Sequence, residues 1–292
     1  MKKQMKLGLF ALTAMTVTFT SCNRDEDSTE IVAQATADHI LVTDQSLLDH
    51  IESLEVDNRQ ATFRDFHLPD GSVEERIFIG DDIAMTIDAL MALRPFTEEE
   101  DAKQYRTFNL VTGSNRTIDI IGYTGNDQFG LSNKAQTALQ WAVNNYNRLS
   151  GVTLQFNLTY GTNFSNKDMV VYDNTANNPG SQGGVAGFPD SQGRPNKFVQ
   201  IYGIEGFSTN VNEHVITHEI GHSVGFRHSD WFDRLSCPPS AQGNEGSGSD
   251  GAVHVPGTPT GRDLTSVMQA CFSTSEDGEF NNNDITALRA MY

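Results

Sequence analysis

Apolar residues recur along this chain with the period of a helix in some segments and with the alternation of a strand in others. Helical spacing predicts helices at 43–54, 86–93, 132–149, 210–224 and 284–292. Strands are predicted at 76–79, 117–123, 152–160, 169–172 and 198–202. The strand and helix order, with a long Gly-, Ser- and Pro-rich loop at 236–262, indicates an α+β fold: a twisted sheet that carries two helices, with a smaller irregular lobe below it.

The N-terminus is typical of an export signal, which we predict for residues 1–22. Lysines precede an apolar run at 7–19 that is too short to span a bilayer. Small residues come directly before Cys22, as before the lipidated cysteine of bacterial lipoproteins, although Phe19 stands where an aliphatic residue is usual. We therefore expect an exported protein that is an outer-membrane lipoprotein, is displayed on the cell surface or is secreted. Ordinary cleavage near Ser21 is the alternative.

The net charge of −18 is concentrated early in the chain. Residues 23–100 contain 5 Lys/Arg and 20 Asp/Glu, whereas residues 101–292 contain 12 and 18. Acidity of this kind favours solubility. No basic patch could neutralise phosphates, so we expect no nucleic-acid partner. We expect a monomer that contacts a membrane only through a lipid on Cys22.

Two further cysteines, Cys237 and Cys271, remain after Cys22. Exported proteins meet oxidising conditions, so an even pair predicts a disulfide. The bond would pin the 236–262 loop to the segment after Met268. Two unpaired buried thiols are the alternative.

The candidate chemistry lies in the eleven residues from His218 to His228, which read His-Glu-Ile-Gly-His-Ser-Val-Gly-Phe-Arg-His. His218 and His222 are four residues apart on a predicted helix, so both rings project from one face and can bind one ion. Gly225 can adopt a left-handed turn that ends the helix and brings back His228. Three such ligands with an open fourth position are typical of one catalytic zinc ion.

Glu219 lies beside His222 and cannot join the histidines as a close third ligand. Zinc lowers the pKa of a bound water towards about 7 and polarises a substrate carbonyl. Glu219 would take the proton of that water during attack and deliver a proton to the leaving amine. This predicts a zinc endopeptidase acting on proteins or peptides. A hydrolase of another amide, such as a cell-wall crosslink, and a surface binding protein on an inactive scaffold are the alternatives, and the intact Glu219 argues against the last.

The eleven-residue pattern resembles that of the metzincin clan of zinc peptidases. The literal His-Glu-Ile-Gly-His string, with the alanine and cysteine after Met268, resembles the bacterial HEIGH metallopeptidases. The resemblance covers roughly 105–292 and implies a metzincin-like zincin fold, with a twisted mixed sheet and an active-site helix above a smaller irregular C-terminal lobe. It also implies that Met268 forms a tight turn below the metal. Ser229 departs from the glutamate of astacins, and Ala270 stands where astacins have an oxyanion-binding tyrosine.

The segment 184–189, Gly-Val-Ala-Gly-Phe-Pro, resembles the edge strand that binds substrate in matrixins. An extended peptide could add to such an edge as a further strand, and a Gly-rich surface loop is the alternative. Asp173 and Asn174 offer oxygen atoms for Ca²⁺, but no full ligand pattern accompanies them, so no calcium site is predicted. His214, one turn before His218, is interpreted as an ordinary helix-start histidine rather than a ligand.

Residues 23–105 are predicted to be an acidic tether and inhibitory prosegment of a latent zymogen, with 106–292 as the catalytic domain. The sequence of 78–83, Phe-Ile-Gly-Asp-Asp-Ile, resembles the Phe-x-Gly-Asp-Ile segment of astacin propeptides, in which the aspartate ligates zinc. One extra Asp is inserted here. The resemblance therefore implies Asp81 as the latency switch, with Asp82 as second choice; a simple type I turn is the alternative.

Overall fold

A computed structural model describes residues 39–95, 105–246 and 253–292. The predicted export signal with Cys22 and the polar tether before residue 39 lie outside these ranges. None of the helices in the described ranges has the length and apolar content needed to cross a bilayer.

Residues 39–95 form an antiparallel sheet with two short helices. The elements are β1 (Ile40–Leu41), α1 (Gln45–Ser53), β2 (Thr62–His67), β3 (Val73–Ile79), β4 (Ile83–Met85) and α2 (Ile87–Met91). The strands pair in the order β1-β2-β3-β4. Asp44 and Thr86 cap the two helices with their side chains. Ile51, Ile77 and Leu90 are fully buried, so this part has an apolar core of its own.

The second part is built on a five-stranded sheet. Its elements are β5 (Tyr105–Arg106), β6 (Thr117–Tyr123), α3 (Asn133–Asn147), β7 (Gln155–Gly161), β8 (Met169–Asp173), β9 (Gly183–Val185), β10 (Phe198–Tyr202), α4 (Thr209–Ser223), β11 (Val253–His254) and α5 (Asn282–Met291). The strand order is β7-β6-β8-β10-β9, parallel except for β9. β5 pairs with β11 in a separate ribbon. This mixed sheet confirms the expected fold class.

Helices α3 and α4 pack against each other and against the sheet. The Tyr146 hydroxyl on α3 donates to the Thr217 carbonyl on α4 at 2.9 Å, so a buried hydrogen bond joins the two helices. Asn281 and Asp284 form a reciprocal capping box that begins α5. Because α4 is buried from Val211 to Ser223, side chains on this part of the helix are held in fixed positions.

Candidate metal centre

Helix α4 carries the first two histidines of the motif. Ser208 caps it by accepting a hydrogen bond from the Val211 N–H, and the chain leaves it at Gly225, whose φ is 107°. This positive φ favours glycine, and a Cβ at Gly225 would make a tight contact of 3.2 Å with the Asn109 carbonyl oxygen. The turn brings the third histidine back against the helix, as the sequence predicts.

The three imidazole rings converge on one point. The Nε2 atom of His222 lies 3.0 Å from that of His218 and 3.1 Å from that of His228, and the last two are 3.3 Å apart. Zinc–nitrogen bonds are about 2.0–2.1 Å long, so nitrogen atoms at this spacing are close enough to share one ion. All three side chains are buried. Burial, and then the other two histidines, lower the pKa of His218 well below its usual value, which favours the neutral ligand form.

The other ring nitrogen of each histidine is also held. Nδ1 of His218 lies 2.8 Å from the Val267 carbonyl oxygen, and Nδ1 of His222 lies 2.9 Å from the Phe226 carbonyl oxygen. A carbonyl can only accept a hydrogen bond, so both Nδ1 atoms carry the proton and both Nε2 atoms present a lone pair to the centre. The Nδ1 atom of the third histidine lies 2.8 Å from each carboxylate oxygen of Glu245.

Glu219 is buried beside this centre, and its Oε2 atom has no hydrogen-bond partner in the part of the chain that the structure describes. Burial, and then the Asp82 carboxylate, raise the pKa of Glu219 well above its usual value. Gly184 on β9 makes room for it: a Cβ there would lie 2.5 Å from Glu219 Cγ. The edge strand and the Glu219 side chain therefore lie in direct contact.

Asp82, not Asp81, lies at the three histidines, so the prediction of Asp81 is corrected. Asp82 Oδ2 is 2.6 Å from His228 Nε2 and 3.4 Å from His222 Nε2, and it can share a metal ion with all three rings. The Asp81 side chain is 87% exposed and lies 3.5 Å from an Arg64 nitrogen.

Backbone pairing explains the shift from Asp81 to Asp82. The Ala186 N–H donates to the Asp82 carbonyl at 2.8 Å, and the Ala84 N–H donates to the Ala186 carbonyl at 2.7 Å. Residues 82–84 thus lie as a short parallel strand along the 184–189 segment. Gly80, Asp81 and Asp82 form the turn between β3 and β4. Asp82 is the turn residue that adjoins this pairing, so its side chain lies at the histidines, whereas the side chain of Asp81 is exposed.

Met268 lies under helix α4, as the resemblance implies. Its sulfur would be 2.5 Å from a Cβ at Gly221, so the helix glycine of the motif allows the turn to approach closely. Asp284 holds this turn: its carboxylate accepts from the Ser266 hydroxyl at 2.6 Å and from the Val267 N–H at 3.1 Å. Burial raises the pKa of Asp284 to about 6. The sequence pattern marks Asp284 only as a helix residue.

The Cys237–Cys271 disulfide is present, with Cα atoms 5.0 Å apart, which confirms the predicted pairing. Asp230 strengthens the same junction, since its carboxylate accepts from the Ala270 N–H at 2.9 Å and from the Ser236 N–H at 3.0 Å. The loop after residue 236 is therefore fixed to the segment that follows the turn at Met268.

Replacing both Cys237 and Cys271 by serine is expected to lower the free energy of unfolding by about 3–4 kcal/mol, because the bond closes a loop of 34 residues in the unfolded chain. Urea unfolding followed by circular dichroism measures the difference. Two thiols that react with an alkylating reagent in the native, non-reduced protein would contradict the bond.

His214 is buried, and its ring stacks on that of His218 with 6.5 Å between the centroids. It is not part of the group that could share the metal ion, which agrees with its interpretation as a non-ligand. A cavity of about 370 Å³ opens beside His218 and Glu219, and Phe207 and Phe272 line its apolar side. This cavity is large enough for a substrate side chain.

The comparison with protein families agrees with this site. The sequence model of a family described as dual-action HEIGH metallopeptidases matches residues 77–292. Two solved structures of myroilysin are similar to the chain. One is 10% identical and covers 62% of this chain and 82% of its own, with a TM-score of 0.38. The other is 14% identical and covers 66% and 99%, with a TM-score of 0.39. No curated protein sequence matches the chain.

Proposed function

This chain belongs to the HEIGH metallopeptidase family, and on that basis we propose that it is a zinc-dependent endopeptidase, exported from the cell and made as a latent zymogen. The observation that carries the proposal is the convergence of three histidine Nε2 atoms, 3.0–3.3 Å apart, beside the buried Glu219. An inactive scaffold would have no need at this place for a buried carboxylate whose Oε2 atom has no partner among the described residues.

His218, His222 and His228 would hold the zinc ion through Nε2. The donor set fits zinc because imidazole is among its preferred ligands and three protein ligands leave one position open. When bound, zinc lowers the pKa of water towards about 7 and polarises a carbonyl oxygen.

Glu219 would act as general base and then as general acid. Its carboxylate accepts a proton from the attacking water at Oε2, the atom without a partner among the described residues, and delivers a proton to the leaving amine. Because Gly184 of the edge strand contacts Glu219, a peptide added along 184–186 would place its main chain next to this base.

Residues 39–95 would keep the enzyme latent. Asp82 fills the space at His228 Nε2 where the substrate carbonyl and the water have to come. Residues 83 and 84 occupy the edge strand at Ala186. The family match begins at residue 77 and so includes the segment with Asp82. A carboxylate at about 2.0–2.2 Å is an ordinary zinc ligand, which supports Asp82 as the group that closes the fourth position.

Export is supported by the disulfide, because such bonds persist in oxidising compartments. The signal-like sequence at 1–22 with Cys22 supports a lipid-anchored or secreted form. Proteins or peptides are the proposed substrates, and the chain is proposed to act as a monomer.

The chain is expected to cleave peptides only when zinc is bound. The chain carrying Asp82→Ala should cleave a mixed peptide library, lose this activity after treatment with a chelator, and regain it with one equivalent of zinc. Mass spectrometry of the products gives the cleavage positions. Isolated peptidoglycan, treated in parallel, tests hydrolysis of a cell-wall amide. Intact peptides in every sample containing zinc, for the parent, for the Asp82→Ala chain and for a chain from which residues 39–95 have been removed by limited proteolysis, would refute the proposed peptidase.

A further inference from the structure

Each histidine of the centre has its Nδ1 atom fixed, but the third is fixed in a different way. Main-chain carbonyls hold the Nδ1 atoms of His218 and His222. The carbonyl at His218 belongs to Val267, which is bonded to Asp284. The carbonyl at His222 belongs to Phe226, which is bonded to helix α4. The third, His228, follows the helix on a returning loop, and its Nδ1 faces both carboxylate oxygens of Glu245 at 2.8 Å. Glu245 belongs to the 236–262 loop, for which the sequence predicts no helix or strand. Its side chain thus contacts the ring of His228 directly.

The loop around Glu245 is held in place by several bonds. The Glu245 N–H donates to the Trp231 carbonyl at 2.7 Å, and the Gly243 N–H donates to the Asp233 carbonyl at 3.0 Å. The Glu245 side chain is 15% exposed, and its Oε1 lies 3.0 Å from Arg234 Nε. These contacts place a carboxylate at one position instead of leaving it free in solvent.

Arg234 itself has a left-handed backbone, with a φ of 48°. Such a conformation costs about 1 kcal/mol or more in a residue with a Cβ. It persists here because the Arg234 N–H donates to the Asp230 carbonyl at 2.7 Å and the guanidinium pairs with Glu245. The strained backbone of Arg234 thus belongs to the residue whose guanidinium pairs with the Glu245 carboxylate.

We propose that Glu245 is a positioning residue for the metal centre: it accepts the Nδ1 proton of His228 and so directs the Nε2 lone pair of that ring to the metal. The inference rests on the proposed zinc function. A carboxylate partner also raises the basicity of the imidazole, and loss of such a partner typically weakens metal binding about 10- to 100-fold.

Zinc affinity of the full chain tests this role without any measurement of activity. Glu245→Ala is expected to raise the zinc dissociation constant about 10- to 100-fold, measured by competition with a chromophoric chelator. Glu245→Gln should give a smaller loss, because the amide oxygen still accepts the Nδ1 proton but the charge is gone. Cobalt substituted for zinc should show an altered visible spectrum in both variants.

Asn244→Ala is the matched control. Asn244 is the neighbour of Glu245 in the same loop, and among the described residues its side chain accepts from the Gly246 N–H at 2.6 Å. It should bind zinc like the parent. Thermal unfolding of the metal-free chains tests whether each variant is folded; if Glu245→Ala is not, the Gln variant decides. Zinc affinity within twofold of the parent in the folded Glu245 variant would overturn the proposal, as would an equal loss in Asn244→Ala. Because binding and turnover are measured separately, the expected zinc affinities together with no cleavage, either by an Asp82→Ala chain or by a chain freed of residues 39–95, would refute the proposed function and leave this role intact.

Discussion

Glu219→Gln is expected to remove peptide hydrolysis while the chain still binds one zinc ion. The three rings that would hold the ion do not depend on Glu219, since each Nδ1 is fixed by another group. The amide cannot accept a proton from water, so the acid–base contribution is lost. That contribution is about 10²- to 10⁴-fold in rate, and we expect a loss at or above the upper end because one residue serves as both base and acid.

The measurement is made in a background in which Asp82 is already replaced, so that latency does not hide the effect. Zinc content by mass spectrometry under native conditions is compared with the rate of cleavage of one peptide. His222→Ala is the contrasting variant and should lose metal and turnover together. Turnover at the parental rate in Glu219→Gln would refute the mechanism, and loss of zinc from this variant would mean that Glu219 is itself a ligand.

The eleven-residue motif allowed the centre of the site to be predicted because its geometry is local. The spacing of four residues on a helix places His218 and His222 on one face, and the turn at Gly225 brings back His228. Helices α3 and α5 were also predictable, because the spacing of their apolar residues is local. The predicted ends of both helices lie within a few residues of the ends in the structure. Local patterns of this kind require no knowledge of the rest of the chain.

The supports of the site are not local, and the sequence did not predict them. Glu245 reaches His228 from 17 residues away, within a Gly- and Ser-rich loop that has no period to read. Asp284 reaches the Val267 N–H from a different element. In both cases the partner is chosen by tertiary packing, which a single sequence does not display.

The structure places Asp82, and not Asp81, at the three histidines for a related reason. The spacing from Gly80 by resemblance favours Asp81, but which of two adjacent residues faces the centre depends on the strand register of 82–84 against Ala186. This pairing joins two segments that lie far apart in the sequence, so a single sequence does not display it.

Asp82→Ala in the full-length chain is expected to raise the rate of cleavage of a short peptide at least tenfold, without removal of residues 39–95. Asp82 is the carboxylate at the three histidines, and alanine leaves the fourth position open to water. The backbone pairing at Ala186 does not depend on the Asp82 side chain. The edge strand therefore stays covered, and long protein substrates should gain less than short peptides.

Asp81→Ala is the matched control for this prediction. Asp81 is the adjacent carboxylate, mostly exposed and paired at long distance with Arg64, so its loss should leave latency unchanged. Peptide cleavage and self-cleavage, followed by electrophoresis over time, compare the parent, both single variants and the double variant. If Asp82→Ala stays as latent as the parent while still binding zinc, the carboxylate is not the switch. Coverage of the edge strand by residues 83 and 84 would then have to be the cause of latency, because that contact is the one that Asp82→Ala leaves in place.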